Sequence, residues 1–124
     1  MLNYDRSKVE IGILHFGLGG FHRAHQAVFF DQVIENGYLE FGIASVSQRD
    51  PSLADEMKAA DSVFQVEASD GNKTITRNIG SIKESLFYAR DEARILEIAR
   101  SPKLKAITLT VTEKAYKSDS EFAT

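Results

Sequence analysis

The sequence predicts an α/β fold of parallel strands and crossover helices, with one antiparallel hairpin inserted. Three observations predict it. A short apolar run at 9–16 stops abruptly at a cluster of glycines. A stretch of helical periodicity follows at once and leads into a second apolar run. Further on, an Asp70-Gly71 pair separates two stretches of alternating polarity.

Taken in order, 9–16 reads Val-Glu-Ile-Gly-Ile-Leu-His-Phe, with charge before it and Gly17, Gly19 and Gly20 after it. Such a run suits a strand buried on both faces. From 21 to 36, Ala24, Ala27, Val28, Phe30, Val33 and Ile34 recur at helical spacing. Asn36-Gly37 is a helix stop. A second strand is expected at 41–46, which completes a βαβ unit. Pro51 opens a second helix, to about 60. Phe64 and Val66 then alternate with Gln65 and Glu67, and Thr74, Ile75, Thr76 and Ile79 resume beyond the Asp70-Gly71 turn. A helix at 91–100 buries Ile95, Leu96, Ile98 and Ala99, with Asp91 as N-cap or first-turn acid and Pro102 past its end. A last strand is expected at 106–111, and a polar tail at 117–124.

Composition narrows the function classes. The 124 residues are 43% hydrophobic and 27% charged, in the range of ordinary globular domains. The net charge of −3, with no basic cluster, argues against nucleic acid as a partner. No apolar stretch approaches the ~18 residues of a membrane span, and 1–10 lacks a signal-peptide core. Cysteine is absent, which excludes disulfides and thiolate metal sites. A cytoplasmic location is the expectation.

The glycine turn carries the chemistry. In Phe16-Gly17-Leu18-Gly19-Gly20-Phe21-His22-Arg23, the first glycine lets the chain reverse as it leaves the strand. The second lets backbone approach a pyrophosphate with no Cβ in the way. The helix that starts here offers free N–H groups to an anion, and Arg23 can add a charge-assisted contact. The expected fold is therefore the start of a Rossmann-like dinucleotide-binding domain. It is an incomplete one, with about three parallel strands where a whole domain has about six. His22 stands where the third glycine of Gly-x-Gly-x-x-Gly would fall, so the helix must be displaced or His22 must face the ligand. A ribose-binding acid is expected ~20 residues after the glycines. None occupies Ser45, Val46, Ser47 or Gln48; Asp50 is the first, with Arg49 beside it. Asp50 would suit NAD and Arg49 the extra phosphate of NADP, so the pair fits either.

The string Gly17-Leu18-Gly19-Gly20-Phe21-His22-Arg23-Ala24-His25-Gln26-Ala27 resembles the amino-terminal signature of the long-chain mannitol dehydrogenase family, Gly-x-Gly-x-Phe-x-Arg-Ala-His. That family takes in mannitol 2-dehydrogenase, arabinitol dehydrogenase, fructuronate reductase and altronate oxidoreductase. A histidine at the third-glycine place is usual in it. Thr110-Val111-Thr112-Glu113-Lys114-Ala115-Tyr116 is similar to the family's Thr-x-Thr-Glu-Lys-x-Tyr segment, and Ile79-Gly80-Ser81-Ile82 is also typical. The first block is highly specific, the others less so, and together they span nearly the whole chain. The resemblance implies an NAD(P)-dependent oxidoreductase that interconverts a polyol and a ketose, or a hexuronate pair. It implies that 1–124 is the amino-terminal part of the dinucleotide-binding domain. The catalytic lysine, asparagine and histidine, in a Lys-x-x-x-x-Asn-x-x-His arrangement, would lie in a helical domain absent from this chain. The segment alone is then expected to be inactive.

Lys73 and Asn78 have the lysine–asparagine spacing, but position 81 is Ser, so this match reads as coincidence. The cofactor-binding candidates are Gly17, Leu18, Gly19, Gly20, Phe21, Arg23, Arg49, Asp50, Thr112, Glu113 and Lys114. Glu113 and Lys114 follow a strand at the sheet's carboxyl edge, where a nicotinamide ribose or substrate would lie. His22 and His25 could share a helix face, but no third metal ligand accompanies them. His15 reads as a core histidine. Phe21, Phe29 and Phe30 read as core, with Phe21 also placed to cover a cofactor. Two other readings compete with the enzyme: a nucleotide-binding or partner-docking module without chemistry, and a plain α/β scaffold.

Overall fold

The computed structural model describes residues 2–110. Strand β1 (Ile11–Phe16) is the sheet's spine. It is followed by helices α1 (Gly20–Ala24) and α2 (Gln26–Glu35), then strand β2 (Gly42–Ser47) and helix α3 (Pro51–Ala59). Strands β3 (Phe64–Asp70) and β4 (Lys73–Ile79) form the hairpin; β5 (Ile82–Phe87), α4 (Glu92–Ala99) and β6 (Ala106–Leu109) complete the order. The main sheet runs β5-β2-β1-β6 with every neighbouring pair parallel, and β3 and β4 make a separate antiparallel ribbon. The chain thus lays β2 and β5 on one side of β1 and carries β6 to the other. The strand order reverses beside β1, and in open α/β sheets ligands bind at the carboxyl ends of the strands flanking such a point.

Alternation along β1 and β2 divides the interior in two. Ile13 and Ile43 face Leu18, Ala27, Ala54 and Met57, with Ile79 and Ile82. Leu14, Ala44, Val46 and Leu86 face Ile95 and Ile98 of α4. Pro51 occupies the first turn of α3, and Asn36-Gly37 ends α2 with Gly37 at a positive φ, as the sequence predicts.

Four expectations need correction. The helix expected over 21–36 breaks at His25, whose backbone lies outside the helical region and caps α1 and α2 alike. Strand β5 was not expected: its Lys83 and Glu84 are half-buried edge residues and interrupt the apolar run that marks a buried strand. Asp91 does hold the N-cap place of α4, but its carboxylate turns back to accept the Phe87 N–H at 2.8 Å rather than capping the helix. Three residues expected inside lie outside: Phe21, Phe29 and, on α4, Leu96 are 67%, 59% and 46% exposed, whereas Phe30 packs against the core with Phe41.

The hairpin is fastened through a buried carboxylate. Asp31 of α2 accepts hydrogen bonds from the Tyr4 hydroxyl (2.5 Å), the Gly80 N–H (2.9 Å) and the Arg77 guanidinium (3.0 Å). Arg6 adds bonds to the Gly80 and Ile82 carbonyls. An aspartate without these donors would be costly to bury. With them it ties the amino-terminal segment, α2 and β4 together. Burial and the Asp31 carboxylate push the Tyr4 hydroxyl's pKa upward.

A candidate dinucleotide site at the glycine turn

The turn after β1 is held from both sides. The Gly17 and Leu18 N–H groups donate to the Val46 carbonyl at the end of β2, at 2.8 and 3.2 Å. On the other side the Thr110 N–H, just past β6, donates to the Phe16 carbonyl at 3.0 Å. Gly17 has φ +126, a conformation that side chains rarely adopt, and a Cβ there would lie 2.9 Å from the Thr110 Cβ. Only glycine fits. Leu18 buries its side chain in the core and anchors the turn.

Gly19 and Gly20 are different. A Cβ on either would meet nothing within 4 Å. Gly19 has φ −127, so neither strain nor crowding from the fold calls for glycine there. What remains is open space directly over the start of α1. The first intrahelical bond is Arg23 N–H to the Gly19 carbonyl, so the N–H groups of Gly20, Phe21 and His22 have no partner within the helix. This fits the approach of a pyrophosphate to bare backbone. Arg23 is half-buried, and its Nε donates to the Gly19 carbonyl at 3.3 Å, which holds the guanidinium beside the turn. Phe21 projects outward against His25, with ring centroids 4.5 Å apart.

His22 explains how this turn works without the third glycine. It is 1% exposed and lies flat against His15 of β1, ring centroids 3.8 Å apart and planes 11° apart. Its Nε2 meets the Ser45 hydroxyl of β2 at 2.7 Å. The side chain fills the helix–strand gap instead of reaching for a ligand. His25, by contrast, is exposed, so the two histidines do not share a face. Among the described residues no group of three or more metal-ligating side chains occurs. His15 is a satisfied core histidine, as expected: Nδ1 meets the Thr108 hydroxyl at 2.6 Å and Nε2 the Thr110 hydroxyl at 2.7 Å. Burial pushes the pKa of His15 from 6.5 down to about 4 and that of His22 to about 3, so both are neutral at pH 7. Ser45, Thr108, Thr110 and Gln26, which complete this polar cluster, escaped the sequence reading. The one usable signal was that His15 shares a strand face with Ile13 and so lies under the turn.

Asp50 and Arg49 lie beyond the carboxyl end of β2, both exposed. Asp50 caps α3: its Oδ1 accepts from the Ser52 N–H (2.9 Å) and hydroxyl (2.5 Å), and these bonds lower its pKa. Ser47 donates to the Asp50 carbonyl at 2.7 Å and holds this corner near the glycine turn's side of the sheet. Thr112, Glu113 and Lys114 lie outside the described residues. Lys73 and Asn78 sit on the hairpin, where Asn78 accepts from Gln65, and Ser81 donates to the Ala27 carbonyl. Two surface concavities, of about 260 and 610 Å³, open along β5 and α4, and neither includes a glycine-turn residue.

Residues 11–122 match the family described as the mannitol dehydrogenase Rossmann domain. The chain belongs to the mannitol dehydrogenase family. Its relatives agree. The mannitol 2-dehydrogenase of Pyricularia oryzae is 32% identical over 92% of this chain and 23% of its own length. The D-mannonate oxidoreductase of Escherichia coli is 34% identical over 95% of this chain and 25% of its own. The structure of Pseudomonas fluorescens mannitol 2-dehydrogenase, a ternary complex with NAD and D-mannitol, superposes with a TM-score of 0.85 at 32% identity. It covers 96% of this chain and 25% of that one. This mannitol dehydrogenase family chain therefore spans about a quarter of the length of the relatives it matches. Among its described residues no helix is long and apolar enough to cross a membrane.

Proposed function

We propose that this chain is the nicotinamide-dinucleotide-binding, amino-terminal part of a cytoplasmic oxidoreductase. The parent would move a hydride between a polyol, or a sugar acid, and NAD. One observation carries the reading: Gly19 and Gly20 leave open space over N–H groups that have no partner within the helix, at the strand-order reversal. In this reading the glycine turn holds the pyrophosphate and Arg23 adds charge. Arg49 and Asp50 stand where the adenosine ribose would reach, with the Asp50 carboxylate shared between cap and hydroxyl. Phe21 shields the cofactor, and Thr112, Glu113 and Lys114 approach the nicotinamide ribose or the substrate. When bound, the nicotinamide supplies the hydride acceptor. The family membership and the share of each relative covered support assigning the proton-handling lysine and its asparagine and histidine helpers to a helical domain beyond these residues.

Titration of the folded chain into NADH, and separately NADPH, tests this. The chain has no tryptophan, so nicotinamide fluorescence is read over a low background. Saturable enhancement is expected, stronger for NADH. Gly19→Val should weaken binding at least about tenfold with an unchanged Tm, because branched carbons enter the ligand's space and not the fold's. Undiminished binding in that variant overturns the site. A folded chain that binds neither nucleotide overturns the reading.

A further inference from the structure

We propose that His15 is a positioning residue for the dinucleotide site: by holding the Thr110 hydroxyl under Gly17, it sets the distance between the glycine turn and the end of β6. The inference rests on the nucleotide-binding reading above. Its basis is that both ring nitrogens of His15 are engaged by threonine hydroxyls, Nδ1 by Thr108 and Nε2 by Thr110. The Gln26 amide, a donor at Nε2, gives a proton to the Thr108 oxygen at 3.2 Å. A hydroxyl accepts two bonds and donates one, so in the proposed arrangement Thr108 accepts from Gln26 and gives its own proton to His15 Nδ1 at 2.6 Å. With Nδ1 accepting, the ring's proton sits on Nε2 and goes to the Thr110 oxygen at 2.7 Å. The ring also lies against the turn, with Nε2 3.4 Å from where a Gly17 Cβ would stand. A neutral imidazole is the side chain that accepts on one nitrogen and donates on the other. Here it joins Thr108 of β6 and Thr110 just past its end through a single ring.

Position along the strand separates this from ordinary packing. Ile13, two residues earlier on the same face, fills its place with hydrocarbon. The polar ring appears only at the carboxyl end, where the turn departs and β6 finishes. Thr110 is crowded there: its N–H holds the Phe16 carbonyl, and its Cβ and Oγ1 fill the space a Gly17 side chain would need. His22, stacked on His15 and bonded to Ser45, backs the ring from the α1 side.

The test uses two amides that imitate different halves of the imidazole, in the full 124-residue chain. In His15→Gln the side-chain N–H reaches the Nε2 place and keeps the Thr110 bond. In His15→Asn the amide stops at the Nδ1 place and loses it. Thr110→Val removes the same bond from the other side with little change of shape. We expect His15→Asn and Thr110→Val to weaken NADH binding about tenfold and to shift the Gly17 and Gly19 amide resonances together. His15→Gln should stay within about threefold of the parent chain, with near-parental resonances. Imidazole nitrogen NMR at pH 7 should show the proton on His15 Nε2. Equal effects of Asn and Gln, glycine resonances indifferent to Thr110→Val, or a proton on Nδ1 would each overturn the proposal. If the parent chain bound no NADH, the functional reading would fall. The resonances and the tautomer would still decide whether His15 positions the turn.

Discussion

The two faces of the one sheet are built to different rules. The buried part of the α4 face is hydrocarbon, Leu14, Ala44, Val46 and Leu86 against Ile95 and Ile98, with the Glu84–Arg94 pair at its edge. The α1–α2 face begins the same way, at Ile13 and Ile43, but its carboxyl end holds His15, His22 and Ser45, buried and hydrogen-bonded. Hydrocarbon packing tolerates small shifts, since its attraction is not directional. A buried hydrogen-bonded cluster does not, because each bond broken leaves a group that water cannot reach. The face that carries the turn is therefore held to a defined geometry, and the opposite face supplies stability.

Four experiments break or sharpen that contrast. Leu14→Ala should cost the most, about 4 kcal/mol by urea denaturation, because a buried central side chain is removed and the rigid surroundings leave a cavity. A loss under 1 kcal/mol would mean that the α4 face does not carry the stability assigned to it. Acid should act on the other face alone. Both buried histidines have pKa values depressed below 6.5, so the unfolded chain takes up protons first as pH falls. The stability tied to their neutral forms is complete well above pH 6.5 and drains away from there down to about 4 for His15 and about 3 for His22, on the order of 4 kcal/mol for the two rings by pH 5. Denaturation midpoints that stay level from pH 8 to 5 would contradict this. Gly17→Ala should cost about 2 kcal/mol, from left-handed strain and the crowding against Thr110. Ser45→Ala is the mildest, about 1 kcal/mol, since it leaves His22 Nε2 without its partner. A Ser45→Ala chain as stable as the parent would show that this contact contributes nothing to the cluster.

Legibility followed the same division. The β1–turn–α2–β2 unit was readable because its signals are local: an apolar run, three glycines and helical spacing. The glycine turn was readable for the same reason. Strand β5 was not, because Lys83 and Glu84 give an edge strand a polar sequence that mimics a loop. The role of Asp31 was not readable, since nothing near it in sequence announces Tyr4, Arg77 and Gly80. Phe21 and Phe29 were assigned inward by residue type, yet helical spacing and the break at His25 turn them out. The partners of His15 were out of reach for a simpler reason. Thr108 and Thr110 stand 93 and 95 residues away, and no spacing rule spans that distance.

That separation also bears on when the site forms. A chain emerging from the ribosome delivers β1 and its glycines early, while the strand that belongs on the far side of β1 arrives more than 90 residues later. Until then one edge of the central strand has no neighbour, and the ring of His15 has no hydroxyl to grip. Closing so long a loop adds only slowly to the entropic cost, but it delays the contacts that repay it. The glycine turn, made well before β6, thus reaches its final shape only once β6 has docked.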